Sequence, residues 1–338
     1  METGTRIMKT SRIARQQGLT LVELMVAITL GLLILAGATS IFVRNSRTSD
    51  EIKKANQQIE NGRYASGLLA DDLKNAGYLA EFDPALLPTP TAPNPCATDV
   101  ASLKTGMAMP VQGYDDGATV PTCISDYKTG TDILVVRRAS TCALGQSGCD
   151  AVATGAVYLQ ASGCNNATEL GSGNVANYFA MDTTVANLTR KRVDCTTLAP
   201  VYQYRVHIYF IANNYRTGDG IPTLKRAELG PAGFSVVPLV EGIEDLQIEY
   251  GIDNVTTPTG MPASFTSSPA SDLAMRNAVA ARLHLLARST TPSMGYVDTK
   301  TYAVGPGVSY TPSGDAAAYK RHLYETTVRI NNTAERNL

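Results

Sequence analysis

Few residues in this chain have a type and spacing that could do chemistry, and Glu23 stands first among them. It is the one ionisable side chain in the apolar stretch 19–43, and it follows Gly18 by five positions. A carboxylate inside an apolar helix costs about 2.5–3.5 kcal/mol on insertion scales, so it needs a partner or a task. Six cysteines come next: Cys96, Cys123, Cys142, Cys149, Cys164 and Cys195, all outside that stretch. An even number in an exported chain points to disulfides, and neighbour pairing (Cys96–Cys123, Cys142–Cys149, Cys164–Cys195) is one of the connectivities that six allow. Zinc is the alternative, but no C-x-x-C pair occurs and His207 is distant in sequence. With all six oxidised, no thiol nucleophile is left. His207, His284 and His322 are scattered, the first two on strand patterns with ordinary polar-face explanations. Glu241, Glu244, Asp245 and Glu249 could do acid–base work or hold a metal; their spacing reads instead as the solvated face of a turn and a strand. There is no H-E-x-x-H, G-x-S-x-G, phosphate-cradling or dinucleotide motif. The expectation is a chain that is not an enzyme, with no cofactor and no metal.

The elements around Glu23 say more. From Leu24 to Val43 no residue is charged. At about 1.5 Å per residue that run is a rod of roughly 30 Å, enough to cross the hydrocarbon core of a bilayer. Ahead of it, Arg6, Lys9, Arg12 and Arg15 face the single acid Glu2, a basic flank that keeps an N-terminus in the cytoplasm. A secretory signal peptide has an apolar core of only about 7–15 residues and a small-residue cleavage site; here the run is longer and is followed by Arg44, Asn45 and Arg47. A plain signal anchor explains length and flanking charge, but not a glutamate directly after Gly-Leu-Thr-Leu-Val. The net charge of −1 over 338 residues leaves no electrostatic footprint for nucleic acid.

The segment Arg15-Gln16-Gln17-Gly18-Leu19-Thr20-Leu21-Val22-Glu23 resembles the processing motif of type IV prepilins and of type II secretion pseudopilins. The resemblance implies that a membrane aspartyl prepilin peptidase cuts between Gly18 and Leu19 and methylates the new amine of Leu19, leaving Glu23 as the fifth mature residue. Leu19 departs from the phenylalanine usual at that place. In that family the glutamate pairs with the N-terminal amine of a neighbouring subunit and sets the axial register. An opposite charge at short range offsets the cost of a buried amine, so the implied role is physically sound. Gly31 and Gly37 read either as places where the helix bends or meets another closely, or as ordinary membrane-helix glycines.

Residues 44–78 continue as an amphipathic helix, with Ile52, Ala55, Ile59, Gly62, Ser66, Leu69, Leu73 and Ala76 recurring every three or four positions. Pro84, Pro88, Pro90, Pro93 and Pro95 mark 79–95 as a linker. Residues 96–200 form a Cys-containing, loop-rich β region, with strands at Thr131–Arg137 and Ala156–Gln160. Residues 201–338 form a β-sheet domain. There Tyr202, Tyr204, Val206, Ile208 and Phe210 make the buried face of a half-buried strand, and Gln203, Arg205, His207 and Tyr209 the open one. Asn213–Gly220 is a hairpin loop without the acidic spacing of a calcium loop. A strand over Leu246–Tyr250, a short helix over Asp272–Asn277 and strands over Val279–Arg288 and Leu323–Asn331 follow. The blocks Glu60–Ala65, Asp71–Tyr78, Val240–Leu246, Ala280–Ser289 and Tyr319–Asn332 resemble PilW-type minor pilins; nothing across about 80–195 does.

The fold expected is α+β: a long N-terminal pilin helix, with a membrane half and an amphipathic half, packed on an antiparallel β-sheet domain with disulfide-bonded loops. The resemblance implies a minor pilin in type IV pilus assembly, single-pass in the bacterial inner membrane with a periplasmic C-terminal domain. It would then enter the pilus fibre at the cell surface, at or near the tip. Its implied partners are the prepilin peptidase, other minor pilins, the major pilin and a tip adhesin, and its implied setting is adhesion and twitching motility. The alternatives are a minor pseudopilin of type II secretion and, from a different class, a membrane-anchored exported binding module or hydrolase.

Overall fold

Helix α1 runs from Leu21 to Lys74 in the computed structural model, which describes residue 18 and residues 20–89, 91–117, 119–254 and 256–337. The chain divides into two units, one ending at Lys53 and the other starting at Lys54. In the second unit α1 buries Gln58, Gly62, Ala65, Leu69, Asp72 and Leu73, so the buried stripe includes polar positions that apolar periodicity does not mark. Ile52 and Ile59, which the periodicity places on the stripe, are exposed. Gly77, at φ 73°, ends the helical turn in the left-handed region that glycine adopts without strain. Its N–H donates to the Arg137 carbonyl at 2.9 Å, and Ala139 N–H donates to the Tyr78 carbonyl at 2.6 Å.

After α1 come α2 (Val100–Gly106), β1 (Val111–Tyr114), β2 (Ile133–Ala143), β3 (Tyr158–Ala161), β4 (Phe179–Asp182), β5 (Val201–Ala212), β6 (Thr223–Gly230) and β7 (Gly233–Glu241). Then follow β8 (Ile243–Ile252), β9 (Ser264–Thr266), α3 (Asp272–Arg276), β10 (Ala278–Arg288), β11 (Tyr302–Gly305), β12 (Val308–Tyr310), β13 (Arg321–Arg329) and α4 (Asn331–Arg336). All pairings between named strands are antiparallel. A seven-stranded sheet runs β1-β2-β5-β3-β4, with β6 also on β5 and β7 on β6; a four-stranded sheet runs β13-β10-β8-β9, and β11–β12 is a hairpin. Position 200, where the composition changes, therefore falls inside one sheet: strands from both sides of it pair through β5. The proline-rich stretch is tied down rather than free, since Arg276 donates to the Pro84 and Ala85 carbonyls and Ala92 N–H donates to Asp272.

Strand β5 is a correction to the half-buried reading. Tyr204, Val206, Ile208 and Phe210 lie in one apolar core with Leu79, Phe82 and Leu159, while Tyr209 and Ile211 lie in another with Leu69, Leu73, Leu246 and Leu283. Both faces of β5 are covered over its second half, so His207, only 3% exposed, is buried there, while Gln203 and Arg205 nearer its start stay half-buried. The passage between sheets is Gly242, at φ 75°, between β7 and β8. A Cβ there would press on the Arg288 carbonyl, and this is the physical content of the glycine in Val-Glu-Gly-Ile-Glu-Asp-Leu. The structure pairs Cys96 with Cys123, Cys142 with Cys149 and Cys164 with Cys195; the first ties the segment before α2 to the β1–β2 connection, and the other two hold the loops between β2 and β5.

Gly62 has its own requirement. A Cβ at this position would run into the Tyr324 ring on β13. Gly62→Val should lower stability by about 1–3 kcal/mol, the usual cost of overpacking, as read from thermal melting of the detergent-solubilised chain. Adding Tyr324→Ala should recover part of the loss; no recovery would show that the ring is not what Gly62 accommodates.

Candidate assembly site

The N-terminal end of α1 begins with Thr20-Leu21-Val22-Glu23, a capping box. Thr20 N–H and Thr20 Oγ1 donate to Glu23 Oε2 at 3.0 and 2.9 Å, and Glu23 N–H donates to Thr20 Oγ1 at 3.3 Å. Leu24 N–H donates to the Thr20 carbonyl at 3.1 Å, the first bond of the helix. Glu23 thus has a local structural role that its isolation in an apolar stretch does not disclose, and T-x-x-E was the signal for it. Its second oxygen, Oε1, makes no hydrogen bond among the described residues. Gly18 is exposed backbone without helical structure. The leader residues 1–17 and Leu19, on which the expected cut and methylation fall, lie outside the described residues.

From Leu21 to Val43 the large apolar side chains are exposed in the isolated chain, Leu33 at 69% and Phe42 at 72%. Thr29 and Thr39 turn their hydroxyls back to the carbonyls of Met25 and Leu35 at 3.0 and 2.7 Å, so these polar groups are satisfied inside the helix. The helix continues through Gly31 and Gly37, where a Cβ would meet nothing within 4 Å. It is long and apolar enough to cross a membrane.

In the second unit the helix is held by a polar clamp. Asp72 is 6% exposed; its Oδ1 accepts from Arg138 Nε at 2.6 Å, and its Oδ2 accepts from Tyr209 Oη at 2.8 Å and meets His207 Nδ1 at 2.7 Å. Burial opposes ionisation of this carboxyl. The His207 hydrogen bond and charge, followed by those of Arg138, outweigh it and hold Asp72 well below the usual carboxylate range. Gln58 Nε2 donates to the Ala287 carbonyl and Asn61 Nδ2 to the Glu241 carbonyl, both at 2.9 Å.

The acidic run in β8 is a second correction. Glu244, Asp245 and Glu249 are 4%, 8% and 6% exposed, so they do not form a solvated face. They face partners supplied from far along the chain: Arg321 Nε meets Glu244 at 2.5 Å, with Arg288 at 3.7 Å, and Glu249 meets Arg282 at 3.0 Å and His284 at 3.1 Å. Burial raises Asp245 to about 6 against the pull of Gln247 and Lys128. Glu241 is partly buried and accepts from Gln57 on α1 at 2.8 Å. The structure brings neither the three histidines nor the cysteines into one place: His207 meets the Asp72 carboxylate, His284 the Glu249 carboxylate, and His322 stacks edge-on against Tyr324. These are arrangements that tie elements together.

Residues 13–39 match the prokaryotic N-terminal methylation motif, and residues 208–332 match the family described as Type IV Pilus-assembly protein W. Residues 208–332 are thus a PilW-type domain, carried behind an N-terminal methylation motif. The second match takes in the end of β5 from residue 208 and everything through β13, including the Gly242 passage and the buried ion pairs of β8 and β10. A solved type IV-like pilin from Thermus thermophilus, TTHA1219, is similar at a TM-score of 0.35 and 11% identity over 82% of this chain and 96% of that one. No curated protein matches the chain.

Proposed function

We propose that this pilin-like chain is a minor pilin that takes part in building a type IV pilus, acting by assembly and not by catalysis. Prepilin peptidase cuts it between Gly18 and Leu19 and methylates Leu19. It waits in the inner membrane with its folded part in the periplasm, gathers with other minor pilins to prime the fibre, and travels at or near the tip beside the major pilin and an adhesin. Burial of the exposed apolar face of α1 drives packing, and the Glu23 carboxylate meets the methylated amine of a neighbouring subunit. The observation that supports this most is the apolar helix, exposed from Leu21 to Val43, that carries a single acid at its start behind a matched methylation motif.

The test is recovery of the full chain, tagged at its C-terminus, in fibres sheared from cells. The reading expects a small fixed amount relative to the major pilin, label at fibre ends, and few fibres when the gene is deleted. Normal fibres in the deletion strain, with the protein confined to the membrane or needed only for secretion, would contradict it and favour the pseudopilin alternative.

A further inference from the structure

Three carboxylates meet at the connection between β1 and β2. Asp115 and Asp116 follow β1 directly, and Asp132 directly precedes β2. One oxygen of each lies within 4.8 Å of the others. Asp132 is 2% exposed; its oxygens accept the N–H groups of Asp116 at 2.9 Å and Ile248 at 2.7 Å. Asp115 accepts from Ser267 Oγ at 3.3 Å, and Asp116 accepts from Gln247 Nε2 at 3.5 Å. Among the described residues no lysine, arginine or histidine pairs with any of the three. Neutral donors stabilise a carboxylate, but they do not offset like charges this close together.

A separate side chain points to what would. Tyr250 on β8 is 2% exposed, and its hydroxyl is buried without a hydrogen-bond partner among the described residues. The ring crosses from β8 to β1, where a Cβ on Gly113, two residues before Asp115, would collide with the hydroxyl oxygen. Burial, and after it the charges of Asp132 and Asp115, push that hydroxyl well above its usual titration range. A buried hydroxyl left unpaired is costly, and this one sits against Gly113, on the strand that leads directly into Asp115 and Asp116.

We infer that Asp115, Asp116 and Asp132 hold a hard divalent cation of the calcium type, one of whose bound waters donates to the Tyr250 hydroxyl. An all-oxygen donor set without His or Cys selects such an ion over zinc or copper. Calcium also accepts the irregular shell that a turn and a strand end provide, with waters and carbonyls completing it; magnesium demands near-octahedral geometry. The ion would tie the β1–β2 connection to the four-stranded sheet, because Asp132 already exchanges hydrogen bonds with β8: its N–H donates to the Leu246 carbonyl at 2.8 Å and its Oδ2 accepts from Ile248. The inference is independent of the assembly reading and survives its failure.

The test uses the full chain in detergent, stripped with chelator and titrated with calcium chloride. Saturable binding with a Kd of about 1 mM or tighter, the range of extracellular calcium modules, is expected, together with a rise in Tm of a few degrees. Asp116 is exposed, so Asp116→Asn should fold normally; it should bind at least tenfold more weakly and lose most of the rise. Magnesium at the same concentration should shift Tm less than calcium. An equal response of wild type and Asp116→Asn, or no saturable binding, would overturn the site.

Discussion

Glu23→Ala should leave cleavage after Gly18 intact and lower recovery in sheared fibres at least tenfold. The proposed assembly supplies the reason: the amine that cleavage would create at Leu19. In a filament of apolar helices, removing one member of a buried pair costs about 3–5 kcal/mol, and each 1.4 kcal/mol is about tenfold in an equilibrium. The capping box supplies a rival explanation, because Glu23 also accepts two hydrogen bonds from Thr20. Two variants separate the roles. Thr20→Ala removes the cap and keeps the charge, and should cost only about 1 kcal/mol of helix stability. Glu23→Gln keeps a capping-box residue and removes the charge, and should fail as badly as Glu23→Ala. Wild-type incorporation of Glu23→Gln would reduce Glu23 to a helix cap and end the register argument.

The second large effect is at Asp72. Asp72→Asn should destabilise the folded unit by about 3–5 kcal/mol at neutral pH, because it leaves Arg138 and His207 facing a neutral amide in a buried place. The folded carboxyl titrates below its unfolded value of 3.8, so its contribution is complete above that value and shrinks as pH falls below it. The difference in Tm between wild type and Asp72→Asn should therefore be full at pH 7 and narrow steadily on acidification below about pH 4. A difference that stays constant into acid would mean that Asp72 acts by packing and not as a charge.

The parts of the fold that could be read from sequence were local ones. The uncharged run 24–43, the alternation in β5, β8 and β13, and the glycines that end α1 and join β7 to β8 all follow from spacing and backbone geometry. What could not be read depends on partners remote in the chain. Asp72 looks like a solvated helix residue until Arg138 and His207 arrive beside it, and Glu244 looks exposed until Arg321 closes over it. For the same reason His207 reads as the open face of a strand: only the fold places α1 over that face. The stripe on α1 was misplaced at its start because Gln58, not Ile59, faces the sheet, bonded to the Ala287 carbonyl. At the N-terminal end the signal was present, since T-x-x-E is a local pattern, but the isolation of the glutamate drew the reading to its charge alone.

The most direct measurement is the intact mass and N-terminal peptide sequence of the protein recovered from cells. The account predicts a chain that begins at a methylated Leu19, lacking residues 1–18. A chain that still carries Arg6, Lys9, Arg12 and Arg15 ahead of Gly18 would contradict it.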